Sequence, residues 1–305
     1  MSSAFSSSIS EVYFAGNPQV LPSGRRPKIK HYIRLLNSTA SFDDRAYDDD
    51  LLTLIRLFNT SSVRCNLLLN FEGMLTPNML HYIDSLVDYG VSAVTVGNTS
   101  MLEQICRRYG NDFGIQNSVY IPAPDLLSVT GLLDAGVNIL LVPPDFNHDF
   151  DFLHRLALVT SSRGCELKIM VNEGCVEHCP HRAEDLSDAQ SYPIELAMQD
   201  YLNNPQEIRT LSSPCRAYME RQGLSKTNYI HPNDVSAYAG FKPLLKIVGR
   251  SFSSDTVLIA CQAYASGQYQ GDLRLLVENF KHAIMPVQHG SAGRAVFKPS
   301  EFRDV

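Results

Sequence analysis

The run IMVNEGCVEHCPHR, residues 169–182, gathers two thiols, two imidazoles, two carboxylates and a guanidinium within fourteen positions. Cys175 and Cys179 follow an apolar, strand-like stretch, ELKIMVN (166–172), at the place where parallel α/β folds carry their sites. A further thiol, Cys215, comes later in SSPCR. Thiolates spaced C-x-x-x-C on one loop can converge on a metal centre, and a third from a distant turn would fix the geometry. Zinc more naturally uses CxxC knuckles or three to four Cys and His ligands at closed spacing, whereas an iron–sulfur cluster accepts scattered thiolates. A radical-type CxxxCxxC is absent, because its third cysteine position is Arg182. No Ser/His/Asp arrangement or HExxH is legible, and a thiolate committed to iron cannot also serve as a protease nucleophile.

Other polar residues sit where chemistry could use them. Glu173, at the strand end, can act as a general base. His178 and His181 can ligate or donate protons, and Arg182 can bind an anionic substrate or balance cluster charge. Asn70, Asn98 and Asn172 each end a strand-like run, where amides line a barrel mouth or cap turns. Gln116 and Asn117 fall inside a strand, where polar groups need partners, which points to a site role. Cys106 and Cys261 lie on helical patterns and read as small buried hydrophobes. Cys65 lies in a strand and Cys165 just before one, so either could still face a site.

These residues need elements to hold them. Short apolar runs alternate with helical spacing, which predicts parallel β/α units. The strands expected are 11–16, 64–70, 92–98, 112–119, 138–144, 166–172 and 244–250. Asp125 is placed to cap a helix, and Gly90 and Gly136 to end two. LVDYGVSAVTV (86–96) and LLDAGVNILLV (132–142) repeat one helix–Gly–strand junction, which favours a (β/α) barrel-like parallel sheet over an open one. No GxGxxG or GxxxxGK cradle occurs. Residues 173–235 break the rhythm as an irregular, cysteine-bearing insertion, with one short helix expected at 194–202 and a last helix at roughly 254–281. An insertion of that kind in a compact domain is usually functional.

The chain has 305 residues and is 44% hydrophobic, enough to bury a continuous core and exclude a disordered or fibrous class. Its formal charge of −6 does not suit a general polyanion binder. The stretch Arg25, Arg26, Lys28, Lys30, His31 and Arg34 is a local basic run that nearby aspartates can neutralise, so nucleic acid is the lesser expectation. No apolar run is long enough to span a membrane, and the Ser-rich start lacks a basic leader and an apolar stretch, so a soluble, cytoplasmic protein is expected. Seven cysteines, an odd number in a chain this large, point to a reducing compartment rather than disulfide staples.

From about residue 80 to 250 the chain resembles the U32 peptidase-like family. The resemblance rests on YIDSLVDYGVSAVTVGN, FGIQNSVYI, LLDAGVNILLVPPD, ELKIMVNEGC, PCR and FKPLLKIVGR, in that order. It implies a single barrel-like domain over 1–305 with 173–235 as a cluster-binding insertion, and a 4Fe-4S cluster held by Cys175, Cys179 and Cys215. Three features depart from the family pattern. Leu211 stands where a further cysteine is often found, the first cysteine pair is closer together than usual, and Val248 replaces a frequent Glu. Two readings follow: a cluster on three cysteines with one iron open to substrate, or a fourth ligand from Cys165, Cys65, His178 or His181. The implied activity is oxygen-independent hydroxylation or a related modification of a small molecule, with Gln116, Asn117, Asn172, Glu173, His181 and Arg182 as substrate-binding candidates. The alternatives are a non-catalytic or electron-transfer subunit working with a protein partner, a peptidase, and an RNA-modifying enzyme.

Overall fold

A computed structural model describes residues 8–17, 20–21, 44–110, 112–182, 218, 221–222, 226–249 and 254–277. All seven stretches expected as strands are strands: β1 (Glu11–Phe14), β2 (Arg64–Leu69), β3 (Ala93–Val96), β4 (Gly114–Asn117), β5 (Ile139–Leu141), β6 (Glu166–Met170) and β7 (Leu244–Lys246). Each is shorter than its apolar run. β5 ends just before Pro143 and Pro144, which lack the amide hydrogen a ladder requires. The strands are ordered β1-β2-β3-β4-β5-β6-β7, and the registered pairs are parallel. A doubly wound sheet reverses its order at a switch point, whereas a (β/α) barrel keeps chain order. The fold is therefore α/β and barrel-like.

The helices among the described residues are α1 (Asp44–Thr60), α2 (Pro77–Asp88), α3 (Thr99–Tyr109), α4 (Leu126–Asp134), α5 (Phe150–Ser162) and α6 (Ser254–Ser266). Their starts are chemically local. Thr76, Asn98, Asp125 and Asp149 each accept a hydrogen bond from the amide three residues on, at 3.3, 2.9, 2.8 and 2.8 Å. The repeated junction is also real. Gly90 and Gly136, at φ +115° and +106°, adopt the left-handed conformation that closes a helix. Val91 N–H then reaches Leu86 O, and Val137 N–H reaches Leu132 O, both at 3.0 Å. The same bond recurs from Cys165 to Thr160 after α5, a third instance that the sequence comparison did not single out. The last helix is shorter than expected. It stops at Ser266, where Gln268 N–H bonds back to Ala263 O at 3.2 Å, and a 3-10 turn, Leu273–Leu275, follows. The helix expected at 194–202, most of the cysteine-bearing insertion and the basic run at 25–34 lie outside the described residues.

The chain divides into two compact units, one of Met1–Leu140 with Ala183–Leu211 and one of Leu141–Arg182 with Ser212–Val305. In the first, register puts Glu11, Tyr13, Arg64, Asn66, Thr95 and Gln116 on one sheet face. The other face carries Val12, Phe14, Cys65, Leu67, Val94, Val96 and Ile115. Helix α1 packs there, and the Cys65 thiol lies 3.9 Å from Ile55 O. In the second unit, Phe152, Leu153 and Leu156 of α5 are buried. Tyr264 of α6 donates to Ile230 O at 2.8 Å, with Val171 O also within reach of the same hydroxyl at 3.1 Å. Those contacts fasten the segment after the insertion to the end of β6.

Candidate functional site

The cysteine loop leaves the carboxyl end of β6 within the second unit and is fastened along its length. Asn172 is fully buried. Its Nδ2 donates to Val248 O at 2.6 Å and to Leu276 O at 3.0 Å, while its Oδ1 accepts from Val248 N–H at 2.7 Å. The amide read as a substrate contact is thus engaged with backbone. Glu173 is 3% exposed, and the Cys175 thiol donates to its Oε1 at 3.3 Å. Asn228 N–H bonds to Cys175 O at 2.8 Å, Val176 bridges Thr227, and Glu177 N–H bonds to Lys226 O at 3.0 Å. Residues 226–228 therefore run antiparallel beside the loop.

The turn between the two cysteines has a second anchor. His178 takes φ +48°, a left-handed conformation that costs a non-glycine residue roughly 1–2 kcal/mol. Its N–H donates to Asp145 Oδ1 at 2.6 Å. The other Asp145 oxygen pairs with Arg182 Nη1. Arg182 Nη2 donates to Val176 O at 2.8 Å and, with the Asn228 amide turned so that both its groups are satisfied, to Asn228 Oδ1 at 2.8 Å. Arg182 N–H closes the turn onto Cys179 O at 3.1 Å. Cys179 is buried, and His181 packs edge-on to Tyr218, with ring centroids 5.8 Å apart.

Asp145 and Asn228 were not singled out from the sequence. Asp145 did carry a signal, since it is an acid immediately beyond a strand end, in LLVPPD. Asn147, two residues on, is also buried. Its Nδ2 bridges Met170 O and Asn228 O at 2.8 and 2.7 Å, and Tyr238 donates to its carbonyl at 2.9 Å.

Gln116 and Asn117 belong to the first unit. Both are buried, and Gln116 Oε1 accepts from Tyr13 OH at 3.0 Å. Register places Asn117 beside Val96 on the opposite face, and the polar face around Gln116 is bonded across strands: Thr95 to Asn66 at 2.8 Å, Asn66 to Glu11 at 2.9 Å, and Arg64 to Glu11 at 3.2 Å. Burial, with Glu11 close by, pushes the Tyr13 hydroxyl far above its ordinary range. Asn98 caps α3 and donates to Phe71 O and Gly73 O at 3.1 and 3.0 Å. It borders a cavity of about 370 Å³ beyond β2–β4, lined also by Glu72, Met74, Thr99, Ser100 and Tyr120.

The loop thiols are soft donors suited to iron–sulfur or zinc chemistry. Among the described residues no three His, Cys, Asp or Glu side chains converge to hold a metal ion, and Cys215 lies outside those residues. Of the other cysteines, burial pushes the Cys65 thiol up to about 11 and raises those of Cys106 and Cys261. The Cys165 thiol lies 3.4 Å from Glu166 O.

The chain is 23% identical over 243 residues to the uncharacterized protease MJ1657 of Methanocaldococcus jannaschii, a match spanning 75% of this chain and 68% of that protein. The sequence is similar to the U32 peptidase-like family. A solved structure of the U32 peptidase Mk0906 is similar over 65% of this chain and 75% of its own, with 14% identity and a TM-score of 0.43. No protein-family model matches the chain. No helix among the described residues is long and apolar enough to cross a membrane.

Proposed function

We propose that this U32 peptidase-like chain is an iron–sulfur enzyme in which Cys175, Cys179 and Cys215 hold a 4Fe-4S cluster. Its reaction would be an oxygen-independent hydroxylation or related modification of a small molecule in a reducing, cytoplasmic setting. The observation that carries this reading is the loop beyond β6. Two thiols four positions apart are fastened by backbone bonds to residues 226–228 and by the Asp145 contacts, with the buried Glu173 carboxylate against one of them.

A three-cysteine cluster would leave one iron to act as a Lewis acid or to bind a substrate oxygen or nitrogen. Glu173 would accept a proton at its Oε1, and His181 would face substrate beside Tyr218. Arg182, engaged with Asp145, would hold the loop while lending it positive charge. A second reading, a peptidase, has in its favour that the relative in Methanocaldococcus jannaschii is named a protease.

Anaerobic purification with iron and sulfide analysis and EPR or Mössbauer spectra, on wild type and on the Cys175→Ala, Cys179→Ala and Cys215→Ala variants, tests the proposal. About four irons per chain with one distinct site, lost in every variant, is the expected result. Zinc, or no metal with the variants unchanged, would overturn it. Anaerobic casein digestion separates out the peptidase. Mass spectrometry of small metabolites and RNA incubated side by side with the holo-protein separates the substrate classes, and turnover appearing only when a partner protein is added would mark an electron-transfer subunit.

A further inference from the structure

We infer that Asp145 is the positioning residue that sets the geometry of the Cys175–Cys179 turn. The inference rests on the reading that these two cysteines are the working thiols. Asp145 sits in the 3-10 turn Pro144–Phe146 that follows β5, far in sequence from the loop it holds. Its two carboxylate oxygens are divided between two tasks. One accepts the His178 N–H, the amide directly before Cys179, at 2.6 Å, and so stabilises the left-handed His178. The other holds the Arg182 guanidinium, which in turn ties Val176 O, the carbonyl directly after Cys175.

One side chain therefore grips the backbone beside each cysteine. A neutral hydrogen-bond acceptor could satisfy the amide alone, but only a carboxylate can also fix the cation. Phe146, the next residue, stacks on Phe152 of α5 with centroids 4.0 Å apart and meets the His178 ring edge-on at 6.4 Å. This packing keeps the 3-10 turn, and Asp145 with it, from following the loop if the loop moves. Arg182 therefore serves the loop geometry before any substrate.

The test uses the full chain, stripped of metal by chelation under argon, in the wild type, Asp145→Ala and Asp145→Asn. Iodoacetamide alkylation of each cysteine is followed by mass spectrometry, with iron content after reconstitution measured in parallel. In Asp145→Ala, Cys179 should alkylate at least about tenfold faster, as a buried thiol released from its turn does. Cys106 and Cys261 should keep their wild-type rates, and iron retention should fall. Asp145→Asn, which keeps an acceptor for His178 but loses the ion pair, should fall between. Unchanged Cys179 reactivity in both variants, or an equal rise at all three cysteines, would overturn the inference. Wild-type protein that binds no iron, yet shows the selective Cys179 effect, would refute the cluster and leave the positioning role standing.

Discussion

Replacing Asn172 by Ala separates a structural amide from a substrate-binding one. The side chain makes three hydrogen bonds, at 2.6, 2.7 and 3.0 Å, all to backbone groups of Val248 and Leu276. At a net contribution of about 1 kcal/mol each, their loss lowers stability by about 3 kcal/mol, roughly a hundredfold in the unfolding equilibrium. Solvent at half-buried Val248 offsets part of this, whereas Leu276 is fully buried. Asn172→Asp should be worse than Ala, because it sets a carboxylate oxygen against two carbonyls where the wild type has an NH₂ group. Urea unfolding would read the loss, and hydrogen exchange at the Val248 amide would locate it, since that amide donates to Asn172 Oδ1. Wild-type unfolding together with unchanged Val248 exchange would refute the reasoning and return Asn172 to the list of substrate contacts.

Gly136→Ala should cost about 1–3 kcal/mol in thermal or urea unfolding, because the new Cβ would lie 2.8 Å from Cys106 Sγ at φ +106°. Adding Cys106→Ala should recover the contact part and leave the backbone part, and a neutral single variant would show that the junction tolerates a side chain. Asp84 accepts from Arg108 Nε and Tyr109 OH, each at 2.7 Å, and the Arg108 hydrogen bonds, with that of Tyr109 helping against desolvation, hold its carboxyl below the usual range. A depressed folded value means that the pair stabilises above the unfolded carboxylate pKa of about 3.9 and loses that contribution as pH falls through the folded value. The melting difference between wild type and Asp84→Asn should therefore shrink from pH 7 to pH 3 and with added salt, and a constant difference would contradict this account.

Residue type and spacing sufficed for everything whose cause is local. A capping Asp125 bonds an amide three residues away, and a helix end at Gly90 or Gly136 is set by backbone conformation within six residues. The apolar runs that became β2–β6 are mostly buried and those of β1 and β7 half-buried, so the parallel sheet was legible from them, and so was the loop after β6 with its two thiols. The partners of the polar groups were not legible, because hydrogen bonds and ion pairs are satisfied by whatever the fold brings near. Tyr13 meets Gln116 across 103 positions, and Val248 meets Asn172 across 76. Nothing near Arg182 in sequence says that its charge belongs to Asp145. By itself the sequence determined which segments become strands of a parallel sheet and which residues carry reactive groups. Only the tertiary structure decided which of those groups are engaged in holding the loop, because a buried donor or charge takes its partner from three-dimensional proximity rather than from spacing along the chain.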